Sequence, residues 1–206
     1  MPLGPTLVWT LAGYALASPG LPAGALAVPL VRQATSYSCG AAALQSVLAY
    51  WGAYDGGESG LYALLATTPK DGTDPVHLAS GAVHFGLKAE LREGMTLDEL
   101  RRLLDSGDTV ILDLQAWRVA GATVSWQDDW EDGHYVVLVG MDAKNAYVMD
   151  PSTLGRYAWL PLTELEERWH DYEDRDGPIR RYLRLGIVIR GKAAFRGTSR
   201  DAARML

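Results

Sequence analysis

Cys39 is the single cysteine of this 206-residue chain; Gln33 lies six residues before it, and His134 and Asp150 follow far downstream. A thiol with no disulfide partner, joined by an imidazole and a carboxylate, is a candidate nucleophile with its base and the group that orients that base. The amide of Gln33 adds the remaining requirement of acyl chemistry, a donor to the oxyanion that forms when a carbonyl is attacked. No step of such chemistry calls for a metal or an organic cofactor.

The elements that must position these groups can be read around them. Residues 28–52, VPLVRQATSYSCGAAALQSVLAYWG, are polar up to the cysteine and then apolar, with Leu44, Val47, Leu48 and Trp51 at helical spacing. This places Cys39 at or just inside a helix N-terminus, where unpaired N–H groups and the positive end of the helix dipole favour a thiolate. Gly40 allows close approach of the backbone to a substrate, and Ala41, Ala42 and Ala43 allow close packing of the helix. The Gln33 amide is expected to turn toward the same point as the Cys39 N–H. Farther along, GHYVVLVGMDAKNAYVMDPS (133–152) opens on His134, runs through a β-branched and apolar strand at 135–139, turns at 143–145 and returns through 146–149 to Asp150-Pro151. The start of one strand and the end of its hairpin partner share a sheet edge, so Asp150 is expected beside His134, holding one ring nitrogen and leaving the other for Cys39.

The Q-x5-C-G block with its helix, the GHYVVL strand and the DPS turn resemble the bacteriocin-processing, double-glycine leader peptidases, a papain-like family of cysteine peptidases, over about 28–191. The resemblance implies that Cys39 is the nucleophile, His134 the general base and acid, Asp150 the orienting carboxylate and Gln33 the oxyanion donor. It implies a peptide or protein substrate cut through a thioester, with the scissile bond after Gly-Gly in a leader peptide. Two departures bear on substrate choice. Ser38 stands where the transporter-linked members commonly have Asp, and the segment 115–132 is long, with Trp117, Trp126, Trp130 and the acids Asp128, Asp129, Glu131 and Asp132. The transporter-fused members carry membrane and ATP-binding domains after the peptidase; neither follows here, and the expectation is a free-standing member. The same residues would also serve an acyltransferase or transpeptidase that passes the acyl group to an amine, a deamidase acting on side-chain amides, or a non-catalytic peptide-binding module.

The remaining pattern predicts an α+β fold, papain-like, with an N-terminal helical lobe carrying the nucleophile packed on an antiparallel sheet lobe carrying His134 and Asp150. Short helical segments are expected at 61–66, at 75–85 behind Asp74-Pro75, and at 97–104 behind a capping box at Thr96 and Glu99; a second capping box is read at Thr163 and Glu166. Strands are expected at 87–91, 109–114, 157–160 and 182–190. With 48% apolar residues, one domain of this length can bury a core unaided.

Three segments follow: an apolar, signal-like or N-terminal arm at 1–27, a peptidase-like domain at 28–191 and a basic tail at 192–206. The arm has no charged side chain and carries small-x-small sites at Ala15-Leu16-Ala17 and Ala25-Leu26-Ala27, which resembles an export signal without its basic start. Periplasmic or secreted location is the expectation, with the cytoplasm the alternative. From Arg180 onward eight basic residues face one acid, leaving eleven basic and twenty-four acidic residues before it, a tail of +7 and a body of −13. Such a tail offers contact with an anionic membrane surface, or attraction to its own acidic body. No motif supports nucleic-acid binding. His77 and His84 share a predicted helix face without the cysteines or acids of a metal site, and His170 is expected near a helix C-terminus, where its charge suits the dipole.

Overall fold

Strands whose residues are apolar on both sides need cover on both faces. Two such strands, β2 (Thr109–Gln115) and β3 (Gly133–Met141), lie at the centre of a six-stranded sheet in a computed structural model that describes residues 20–118, 123–174 and 177–192. They run antiparallel, with Leu112 opposite Val136, Asp113 opposite Tyr135 and Leu114 opposite His134. With β1 (Lys88–Arg92), β4 (Asn145–Met149), β5 (Ala158–Pro161) and β8 (Gly186–Arg190), the order is β1-β8-β2-β3-β4-β5, and every neighbouring pair is antiparallel.

The period-2 alternation of the central strands divides their side chains between two cores. Ile111, Tyr135, Val137, Val139, Tyr147 and Ile187 pack under the helices α1 (Cys39–Tyr50) and α2 (Pro75–His84). Val110, Leu112, Val136, Leu138, Val148 and Val188 pack on the opposite face with α3 (Leu97–Asp105) and α4 (Leu162–Arg168). Ala41, Ala42 and Ala43 of α1 are fully buried, so the helix lies close on the sheet. The chain is therefore mixed helix and antiparallel sheet, with the nucleophile's helix pressed directly onto the strands that carry the other candidate groups.

Local signals set the ends of several elements. Asp74 accepts from the N–H groups of Val76 and His77 at the start of α2, ahead of the Pro75 first turn. Thr96 and Glu99 form the reciprocal capping box of α3. Elsewhere the structure departs from the sequence reading. Residues 61–66 form no α-helix; a 3-10 turn at Glu58–Leu61 is followed by further turns that end at Ala66, where φ reaches 47°. The helix α4 begins one residue ahead of Thr163, with Pro161 as N-cap and no side-chain cap, so Thr163 and Glu166 make no capping box. The predicted strand at 182–190 is two strands: Arg184, at φ 52°, breaks it into β7 (Arg180–Leu183) and β8, and β7 pairs with a strand the sequence did not announce, β6 (His170–Glu173). His170 thus starts a strand instead of ending a helix.

Pro22 to Val28 lie against the end of β3: Leu26 N–H donates to the Val139 carbonyl at 2.7 Å, and Val28 is wholly buried. Most of the apolar arm and of the basic tail, residues 1–19 and 193–206, lie outside the described residues. Among the described residues, no helix is long and apolar enough to cross a membrane.

Candidate active site

Cys39 is the first residue of α1, where its N–H has no intrahelical acceptor, and its thiol is partly exposed. A Cβ on the next residue, Gly40, would come within 2.9 Å of Thr73 Cβ and 3.1 Å of Tyr135 Cδ2. The missing side chain therefore serves the packing of helix on strand, where the sequence suggested close approach to a substrate.

His134, second residue of β3, is almost fully buried. Its Nε2 lies 2.7 Å from Asp150 Oδ1. Asp150 follows the last residue of β4, so the hairpin does bring strand start and strand end together. Ser152 donates to Asp150 through N–H and Oγ, both at 2.8 Å to Oδ1, and Thr153 Oγ1 donates to Oδ2 at 2.8 Å, which fixes the carboxylate. Burial works to raise the Asp150 pKa, but the His134 hydrogen bond and charge, with these other donors, hold it well below the usual carboxylate range.

The opposite nitrogen, His134 Nδ1, is buried and makes no hydrogen bond of regular geometry. Burial disfavours the charged ring; interactions with Asp150 and with the Cys39 sulfur outweigh it and push the His134 pKa up to about 9. Trp117 closes another side of the imidazole, with ring centroids 4.6 Å apart, while remaining 44% exposed itself.

Gln33 is joined to the same assembly through its backbone, whose N–H donates to the Pro151 carbonyl at 3.0 Å, next to Asp150. Its side-chain amide donates one N–H to the Thr35 carbonyl at 2.7 Å, leaving the second N–H for another acceptor, and Oε1 is buried without a partner. The loop is braced by Glu58, which is buried, accepts from Ala34 N–H at 2.9 Å and receives Tyr62 Oη–H at 2.6 Å. Ser38 accepts from Thr35 N–H at 3.1 Å and Oγ1–H at 2.8 Å, a second brace immediately before the thiol.

A cavity of about 510 Å³ opens beside Cys39, with Tyr37 and Thr73 on the helical side and Gly133, Tyr135, Trp130 and Asp171 on the other. Sequence reading missed Glu58, Asp171 and the buried pair Asp113 and Gln115, which carry no local motif; Gln115 Nε2 donates to the His170 carbonyl and to Asp171 Oδ1, both at 3.1 Å, tying β6 to β2. The three tryptophans of 115–132 divide their work. Trp117 covers His134, Trp130 packs on His170 at 4.3 Å and lines the cavity, and Trp126 lies between the guanidinium groups of Arg118 and Arg168 at 3.8 and 4.2 Å. His77 sits 3.4 Å from Asp74 and His84 packs edge-on to Phe85. His170 Nε2 meets the Asp129 carbonyl at 2.8 Å.

The residues 25–176 match the model of the Peptidase_C39 like family. The chain belongs to that family. Its fold is shared with solved structures at low identity. The double glycine motif protease of an AMS/PCAT transporter, in complex with its leader peptide, has TM-score 0.57 at 19% identity, covering 82% of this chain and 95% of that one. The peptidase domain of Streptococcus ComA, a bifunctional ABC transporter, has TM-score 0.59 at 17% identity, over 80% and 99%. A C39-like peptidase from Bacillus anthracis has TM-score 0.58 at 16% identity, over 84% and 98%. No curated protein shows significant similarity to the chain.

Proposed function

We propose that the protein is a cysteine peptidase in which Cys39, His134 and Asp150 form the catalytic triad and Gln33 contributes to the oxyanion site. The observation that carries this reading is the division of labour on one buried imidazole: Nε2 is held by Asp150 at 2.7 Å, while Nδ1 has no regular partner and Cys39 acts on the ring. His134 Nδ1 takes the proton from Sγ, giving a thiolate and an imidazolium next to a fixed carboxylate. The thiolate adds to the peptide carbonyl, whose oxyanion is met by the Cys39 N–H and the second N–H of Gln33 Nε2. The C–N bond breaks as Nδ1–H protonates the leaving amine. Water, giving its proton to Nδ1, then adds to the thioester and releases the acid product and the free thiol.

Family membership and the double-glycine proteases sharing its fold support the finer reading that the bond cut follows Gly-Gly in a leader peptide. Incubating wild type and Cys39→Ala with a peptide library, followed by mass spectrometry of the products, tests both levels. Cleavage by wild type only supports the peptidase, and enrichment of Gly-Gly before the cut supports the specificity. Equal cleavage by Cys39→Ala would overturn the triad.

A further inference from the structure

The cavity beside Cys39 contains a feature the triad does not use. Asp171 of β6 lines it, and any Cβ on Gly133 would collide with the Asp171 carboxylate, so the glycine makes room for that group next to the first residues of β3. Oδ1 of Asp171 accepts from Gln115 Nε2. Behind it, Asp113 is only 2% exposed, and its Oδ1 has no hydrogen-bond partner. Asp113 is paired across β2 and β3 with Tyr135, and side chains of directly opposed residues leave the same face of a sheet. Tyr135 lines the cavity, so Asp113 is directed to that side as well.

Two carboxyl groups in one buried place are costly unless a proton or another cation is shared between them. Burial first, and then the Asp171 charge, raise the Asp113 pKa well above the usual range, and burial raises that of Asp171. Each carboxyl group of the pair therefore favours a shared proton or another cation more than a free carboxyl does. Among the described residues no Lys or Arg pairs with either carboxylate; Lys70, at the cavity rim, lies 3.2 Å from Asp71. A buried polar pair with a missing partner is what a site looks like before its ligand arrives.

We propose that this cavity is a cation pocket, in which Asp171, backed by Asp113, receives the ammonium or guanidinium group of a Lys or Arg side chain in the peptide substrate. The proposal rests on the peptidase reading for its substrate, and it names Asp171 as a specificity-determining residue for that reaction. The cavity volume of about 510 Å³ accommodates a long side chain.

The test compares modification of Cys39 by cationic 2-aminoethyl methanethiosulfonate and neutral methyl methanethiosulfonate, followed by intact mass. The cationic-to-neutral rate ratio should fall by roughly ten- to hundredfold in Asp171→Asn, the size expected for loss of one charged hydrogen-bonded pair. The ratio should stay at its wild-type value in Glu166→Gln, an exposed acid on α4 outside the cavity. Wild type alone provides an independent arm: butylguanidinium should protect Cys39 from the neutral reagent, and butanol should not. An unchanged ratio in Asp171→Asn, or equal protection by the two additives, overturns the pocket. Peptide pairs differing in Lys against norleucine near the scissile bond separate the two readings. Equal cleavage of both peptides overturns the pocket and leaves the peptidase standing. A failure to cut either, with the reagent ratio and protection intact, overturns the peptidase and leaves the pocket.

Discussion

Asp150 holds the far nitrogen of His134, Nε2, at 2.7 Å, so the ring presents Nδ1 on the side where Cys39 acts on it. This relationship follows from β3 and β4 being a hairpin, and it separates orientation from charge as contributions of Asp150. Asn at 150 can still accept from Nε2 while Thr153 Oγ1 accepts from the new amide. Asp150→Asn is therefore expected to keep the fold and lower kcat by roughly ten- to a hundredfold, about 1.4 to 3 kcal/mol. Circular dichroism and steady-state kinetics check both halves.

The pH dependence has a defined sign. Folding raises the His134 pKa from 6.5 to about 9, so its contribution to stability is complete below 6.5 and is lost as pH rises through about 9. Asp150 moves the other way from 3.8, and its contribution is present above that value and lost as pH falls through the folded pKa. The stability difference between wild type and His134→Gln, from urea titrations, should be largest between these two limits and shrink toward pH 9. The kcat profile should show an alkaline limb near the same value, because the leaving amine needs the imidazolium proton.

Trp117 lies on His134 and leaves it 1% exposed. Trp117→Ala should admit water to the ring, relieve the burial that disfavours the imidazolium and move the alkaline limb to higher pH. The lost ring contact is worth about 0.5–1.5 kcal/mol. A profile unmoved in position, with only a lower protein stability, would assign Trp117 to packing.

Glu58 acts at a distance from the thiol through the Gln33 loop. Glu58→Ala strands the Ala34 N–H and the Tyr62 hydroxyl and should cost roughly 1–3 kcal/mol of stability, measured by chemical denaturation. Gln33→Ala should leave stability near wild type and lower kcat by roughly a hundred- to a thousandfold, the usual loss for one oxyanion donor.

How much of this was readable beforehand differs residue by residue. Asp150 lies beside His134 as expected, because a two-strand hairpin is enough to bring them together and local order along the chain determines it. The Cys39 helix start was legible for the same reason, since the polar-to-apolar change falls on the residue itself. Gln33 was expected to turn its amide toward the Cys39 N–H; that amide donates to the Thr35 carbonyl, a bond that spacing does not reveal. Asp113, Gln115 and Asp171 were invisible because their meeting depends on β6, and β6 was hidden by a helix pattern running up to His170. Its partner β7 opens on Arg180 and Arg181, ahead of the predicted strand, and ends before Arg184, whose positive φ no side-chain type announces.

The most direct test of the central claim is the rate of Cys39 alkylation by iodoacetamide, followed by intact mass between pH 4 and 9, in wild type and in His134→Ala. The account predicts rapid labelling of wild type on the acidic side of neutrality that is lost in the variant, because the imidazolium that sustains the thiolate is gone. Labelling that is equally slow in both proteins and rises only in alkali would contradict it, leaving Cys39 an unactivated thiol.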